Sequence, residues 1–272
     1  MAIDFGGTDE FLLINDDPSL SFGDSFTDDP MTIVAWINMD DATTFRIINK
    51  NNVGGNEFEW LFSMTGGDDL QVNLLDNDGN NFIAQRSDDP FTADEGSWIT
   101  VSATYDGNGL AGGLKLQRNG VLRASSDVSG GAYTAMHNFN TNVVIGRSSV
   151  DGASYANGKI GEVSIWRAEL TAAELLQLYN SKIKHMALQT SPPDLELALS
   201  MNDGANGTSA DGDTIRDMSV NGNDATGDDG VGASLIWAAE DVMSYPASAT
   251  PVITPAIVLG NPWYYYAQHN RS

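Results

Sequence analysis

Along most of this chain apolar residues alternate with polar ones, and only one stretch shifts to helical spacing. Met31-Thr32-Ile33-Val34-Ala35-Trp36-Ile37 and Trp98-Ile99-Thr100-Val101-Ser102-Ala103-Thr104-Tyr105 read as core strands, the first with a buried tryptophan. Leu114–Arg118 and Val121-Leu122 flank Asn119-Gly120, a pair that supplies the positive φ angles of a tight hairpin turn. In residues 158–166, alternation puts Ile160, Glu162, Ser164 and Trp166 on one side and Val163 and Ile165 on the other. Thr171 and Glu174 then form a capping box, with Leu170 and Leu175 at the positions of a hydrophobic staple. Ala172, Leu175, Leu176 and Tyr179 follow at helical spacing, which predicts one short helix over 171–180 docked on an apolar surface. The 28 glycines sit among Asn and Asp as turn residues between short strands. The pattern predicts an all-β chain.

The order of these segments carries a resemblance. Ala2-Ile3-Asp4-Phe5-Gly6-Gly7-Thr8-Asp9-Glu10-Phe11 resembles the opening of laminin-G-like modules, and Trp98 through Gly107 resembles their "W-x-x-V-A-x-T-Y-D-G" strand. Asp17-Pro18-Ser19-Leu20, the 114–122 hairpin, Val144-Ile145-Gly146-Arg147 and the strand-then-helix of 158–180 fall in the family's order. Residues 2–180 thus resemble a laminin-G-like or pentraxin-like domain. The resemblance implies a concanavalin A-like jelly-roll sandwich of two antiparallel sheets with one short helix.

After residue 185 the organisation changes. Ser191-Pro192-Pro193 breaks the chain, and Leu195, Leu197, Leu199 and Met201 then alternate as a strand. Met201-Asn202-Asp203-Gly204 through Asp217-Met218-Ser219-Val220-Asn221-Gly222-Asn223-Asp224 resembles the segment that usually comes first in the family. Circular permutation, a second repeat that ends early and strand swapping into a neighbouring subunit all produce such an order. Permutation has the better physical case, because chain ends in compact domains often lie close together. A half-repeat would leave the apolar strands 195–201 and 233–238 uncovered. The expected division is a sandwich over 1–245, completed by 194–238, and an extended C-terminal arm over 246–272.

Thirteen basic residues against 37 acidic ones give a net charge of −24, which repels phosphate backbones and argues against nucleic-acid binding. The same charge favours solubility and leaves acidic loops as places for cation capture. With no cysteine, thiol catalysis is excluded. No basic or long apolar segment precedes the first strand, so no secretory signal is expected. No apolar run approaches the roughly 18 residues of a membrane helix, so insertion into a bilayer is not expected either.

An enzymatic site is not legible. His137, His185 and His269 stand in separate segments with no carboxylate at a motif spacing, and no nucleophile elbow or phosphate-cradling loop appears. Glu57 and Glu59 beside Trp60 form a carboxylate pair on one strand. The glycanases of the resembled fold carry a third acid, and Phe62 and Ser63 stand where it would be needed. The reading is therefore non-enzymatic. The resemblance also implies calcium at one rim. Asn56 matches half of the family's Asp-Asn pair, with Gly55 in the aspartate's place. Asp151 lies near another family ligand, although Ser148 and Ser149 replace the acids before it. Asp76-Asn77-Asp78-Gly79-Asn80 and Asp211-Gly212-Asp213 are acidic turns without the spacing of an EF-hand. Tyr133 and Tyr155 are candidates for stacking on sugar rings.

In the arm, Pro246, Pro251, Pro255 and Pro262 forbid a helix or a central strand. Val252, Ile253, Ile257, Val258 and Leu259 supply apolar area there, and Trp263, Tyr264, Tyr265 and Tyr266 supply rigid rings with polar tips. An extended arm of this kind needs a surface, and these nine residues are the expected interface with other subunits. The sequence accordingly predicts a structural or adhesion protein on a virus or phage surface, as a capsid decoration or tail-associated subunit. The alternative is an extracellular, lectin-like carbohydrate-binding module of a secreted or cell-surface system, with glycans as partners. Deleting residues 246–272 is expected to leave a folded sandwich that no longer assembles. Circular dichroism and sedimentation velocity check the two halves of that statement, and normal assembly of the truncated protein contradicts it.

Overall fold

The computed structural model describes residues 1–52, 54–77, 79–148, 154–181, 190, 192–230 and 234–239. Its strands are β1 (Ala2–Gly6), β2 (Phe11–Ile14), β3 (Met31–Asp41), β4 (Arg46–Asn52), β5 (Glu57–Met64), β6 (Leu70–Asp76), β7 (Asn81–Ser87), β8 (Ile99–Tyr105) and β9 (Leu114–Arg118). They continue as β10 (Val121–Leu122), β11 (Ser125–Asp127), β12 (Val143–Ile145), β13 (Asn157–Trp166), β14 (Leu195–Leu199), β15 (Thr214–Ile215), β16 (Ala225–Asp228) and β17 (Ile236–Ala238). One sheet runs β10-β9-β8-β3-β13-β1-β17, with β14 also on β13; the other runs β11-β7-β6-β5-β4-β12-β2-β16-β15. All ladders are antiparallel. The inner faces meet in one core that includes Ile3, Phe5, Trp60, Phe62, Tyr105 and Trp237. This is the predicted sandwich.

The first strand of the chain is not an edge. β1 lies between β13 and β17, with Ile3 opposite Ile160 on one side and Trp237 on the other. β2 likewise lies between β12 and β16. The segment after the helix therefore pairs with residues 2–14 and contributes Leu197, Leu199, Ile215, Leu235 and Trp237 to the same core. Arg167 fixes the junction. Its guanidinium donates to the carbonyls of Ser19 and Ser21 at 2.9 and 3.0 Å, pairs with Asp29 and Glu196, and lies over the Phe22 ring.

The helix α1 (Ala172–Asn180) has both halves of the capping box and packs on the outer face of the first sheet. Leu170, Leu175 and Leu178 join Val34, Trp166, Leu195 and Ala198 in a second apolar cluster, and Tyr179 stacks on Trp36 at 6.0 Å. Two details differ from the sequence pattern. Leu178 rather than Leu176 faces inward, and Leu176 is exposed. Ile160 belongs with Val163 and Ile165 rather than with Trp166, because Gly161 is an extra residue against β3 and reverses the alternation. Residues 246–272, with all nine arm residues named above, and Asp151 lie outside the described residues.

Asn119 and Gly120 have φ of 54° and 71°, as a two-residue hairpin turn requires. A Cβ on Gly120 would come 2.7 Å from the Leu176 Cα, so the hairpin and the helix meet backbone to backbone. Gly120→Ala combines a left-handed φ with that clash and is expected to destabilise the fold by about 2 kcal/mol. Urea denaturation measures it; a midpoint equal to that of the unaltered protein contradicts the contact.

Candidate functional site

The turns β4–β5 and β6–β7 leave the second sheet at the same end, where the Phe58 ring lies against Gly79. Two loops fold over this rim. The loop around Ser25 bonds to the one around Met136, with Ser25 N donating to the Met136 carbonyl at 2.9 Å. Asp28 ties them to the body, accepting from the hydroxyls of Tyr105 and Tyr133 at 2.7 and 2.8 Å and from Met136 N at 2.8 Å. Burial raises the Asp28 carboxyl pKa, and those three bonds oppose the rise. Tyr133 is thus a strut of the rim rather than an exposed platform. Tyr155, half-buried, has the Arg147 guanidinium 5.8 Å from its ring centre.

On this frame stands a row of side chains that no sequence motif announces. His137 Nε2 lies 3.1 Å from Asp76 Oδ1, His137 Nδ1 lies 2.9 Å from Ser25 Oγ, and the ring stacks on Phe139 at 5.0 Å. A carboxylate only accepts, so Nε2 donates to Asp76, while Nδ1 and the Ser25 hydroxyl share one hydrogen bond. Beside it Phe26 is 82% exposed. The order Ser-His-Asp suggests nucleophilic chemistry, but the donors such chemistry needs are committed elsewhere. Ser25 N is bound by Met136, while Phe26 N and Thr27 N donate to Asp24 Oδ1 at 3.0 and 2.8 Å. The row can orient a ligand's hydroxyls, and these three amides are not available as an oxyanion hole.

Beneath the β4–β5 turn is a buried charge cluster. Lys50 is fully buried, and its Nζ lies 2.6 Å from Ser21 Oγ, 2.8 Å from Asp16 Oδ1, 2.9 Å from Glu59 Oε1 and 3.2 Å from the Phe139 carbonyl. Glu59 reaches inward because it is a bulge: Lys50 opposes Trp60 and Asn51 opposes Phe58, so Glu59 is the extra residue of β5. Its Oε1 also accepts from Phe139 N at 2.9 Å, whereas its buried Oε2 has no hydrogen-bond partner. Desolvation pushes the Glu59 carboxyl up to about 7 against the opposing pull of Lys50. Glu57, in contrast, is half-buried at the turn and accepts from Asn52 Nδ2 at 3.1 Å. The bulge separates the two carboxylates that sequence alternation paired.

Asn56 is an exposed residue of the β4–β5 turn with φ of 54°. Among the described residues, no group of three or more His, Cys, Asp or Glu side chains is placed to hold a metal ion. Of the acidic turns, Asp211 Oδ1 accepts from Asp229 N, and Asp213 Oδ2 accepts from Trp237 Nε1 at 2.7 Å. These are turn and anchor contacts.

A carboxyl whose pKa is raised by folding binds its proton more tightly in the folded chain than in the unfolded one. Between the ordinary value of 4.5 and about 7, the unfolded chain has released that proton and the folded chain has not. The contribution of Glu59 to stability is therefore greatest at acid pH and is lost as pH rises through this window. Glu59→Gln is expected to flatten the fall in unfolding free energy between those limits. Urea titrations at a series of pH values test this, and an unchanged pH dependence contradicts it.

No curated protein matches this chain at a significant level. Among solved structures, a candidate carbohydrate binding protein of Bacteroides ovatus is 17% identical over 84% of this chain, with a TM-score of 0.49; the match spans 58% of that protein. The native heptameric SAP-like pentraxin of Limulus polyphemus is 16% identical over 66% of this chain and 81% of its own, with a TM-score of 0.44. The CBM40 module of the Ruminococcus gnavus IT-sialidase, bound to α2,3 sialyllactose, is 18% identical over 66% of this chain and 96% of its own, with a TM-score of 0.48. Residues 7–176, more than half of the chain, match the laminin G-like model of the concanavalin A-like lectin/glucanases superfamily, and the protein belongs to that superfamily.

Proposed function

We propose that this chain is a lectin-like module that binds uncharged glycans at the rim formed by Ser25, Phe26, Asp76 and His137. The observation that carries the reading is the juxtaposition of a bare aromatic ring with an oriented hydrogen-bonding row. Phe26 is 82% exposed and sits next to a serine whose hydroxyl is held by His137, itself held by Asp76. Sugar rings present an apolar C–H face and a polar edge, so such a pair addresses both. Membership of a lectin-like superfamily supports the same class of function. The net charge of −24 disfavours acidic sugars. Display on a virus or phage particle rests on residues 246–272, which lie outside the described residues, so the rim rather than the arm carries this reading.

A glycan array followed by titration calorimetry tests it with the full chain. The expected result is binding to uncharged oligosaccharides, weakened about tenfold by Phe26→Ala, a loss of the size aromatic contacts contribute. His137→Ala is expected to weaken it comparably without unfolding the sandwich. Absence of any glycan ligand, or affinities untouched by both substitutions, overturns the reading.

A further inference from the structure

The laminin-G-like resemblance implies calcium at this rim, and the residues present can be held against that demand. Calcium needs about six to eight oxygens, several of them carboxylates, converging on one point. Around Asn56 the turn offers one carboxylate, Glu57, already bonded to Asn52. The described part of the turn does not by itself make up that set, and Asp151, the other expected ligand, lies outside the described residues.

Oxygens do converge at this end of the sandwich, but on a different centre. Asp16 from the loop after β2, Ser21 after the 3₁₀ turn Pro18–Leu20, Glu59 from β5 and the Phe139 carbonyl all point at Lys50 Nζ. Three segments of the chain, the β2–β3 connection, β5 and the loop before β12, thus meet on one ammonium. Its separations, 2.6 to 3.2 Å, are those of hydrogen bonds and ion pairs. Two carboxylates, a hydroxyl and a carbonyl are the kinds of oxygen that a hard cation recruits. Here they are taken by a cation that is covalently part of β4, two residues from the end of the strand. Phe139 also carries the connection outward, since its ring stacks on His137.

We propose that Lys50 is a built-in cation: its buried ammonium gathers the rim loops in the way a bound metal ion would, so that the rim is ordered without metal. The proposal concerns the order of the rim and does not depend on which ligand the rim takes. Thermal melts and amide hydrogen exchange of the full chain test it, in millimolar calcium and in chelator. The expected result is the same Tm in both, with the amide of Phe139 equally protected. Lys50→Met keeps the length and removes the charge. It is expected to lower Tm by about 10 °C and to speed exchange at Phe139, because it strands two carboxylates. Should that variant not fold, Lys50→Met with Glu59→Gln, which removes one stranded charge, decides the matter. It is expected to recover Tm in part while exchange at Phe139 stays fast. A Tm that rises with calcium and falls with chelator in the unaltered protein overturns the proposal. So does unaltered protection of Phe139 in whichever lysine variant folds.

Discussion

A single ammonium in the interior sets the geometry of the end of this molecule where chemistry is concentrated. An unpaired charge in a low-dielectric interior is costly, so Lys50 can exist there only if every segment that neutralises it stays in place. Asp16, Ser21, Glu59 and the Phe139 carbonyl are those segments. Asp16, Ser21 and Phe139 belong to loops, and Glu59 to a bulge of β5. The same desolvation that makes the cluster demanding also raises the Glu59 carboxyl, and Lys50 opposes it. Such a cluster adds little net stability compared with apolar packing. It specifies one arrangement of the loops, and that arrangement brings His137 and Phe139 together above it.

The sheets rest on a second constraint, which is topological. Because β1 and β2 are interior strands, neither sheet is complete until the chain has returned through β14 to β17. Contacts between Ile3 and Trp237, or Leu12 and Gly227, span nearly the whole described chain. Closing such loops costs entropy before any burial offsets it. Arg167 lies where this cost is met, joining the turn before β3, the end of β13 and β14 through one guanidinium. Arginine suits the place, since its planar fork can satisfy several acceptors at once and still stack on Phe22.

What could be read from the sequence was what local physics decides. The Thr171–Glu174 box, the Asn119-Gly120 turn and the apolar runs around Trp36 and Trp166 each carry their own structural instruction within a few residues. The bulges at Gly161 and Glu59 do not, because a bulge exists only relative to a partner strand. A one-residue shift then moved Ile160 to the other face and drew Glu59 away from Glu57. The Ser25–His137–Asp76 row was hidden for a related reason: its members come from two loops and the end of β6, which only the closed sandwich brings together. One signal was present. Lys50 is a lone cation in the run Ile47-Ile48-Asn49-Lys50, and the strand it pairs with, Glu57–Met64, carries the acid Glu59 next to its partner Trp60.

The distribution of cations also bears on what the rim can hold. Of the thirteen basic residues, Lys50 and Arg167 are committed to the interior and the sheet junction, and Lys115, Arg118 and Arg123 pair with Glu169, Asp94 and Asp89. These five positive charges hold the scaffold, and with 37 acidic against 13 basic residues the field outside is negative. That field extends about 8–10 Å at moderate salt, which covers the rim. An acidic ligand would have to cross it, and at the row it meets the Asp76 carboxylate beside His137. A neutral polyol meets no such barrier. In the proposed reading its attraction would come from the Phe26 face and from hydroxyls matched to Ser25, both short-ranged and nearly independent of salt.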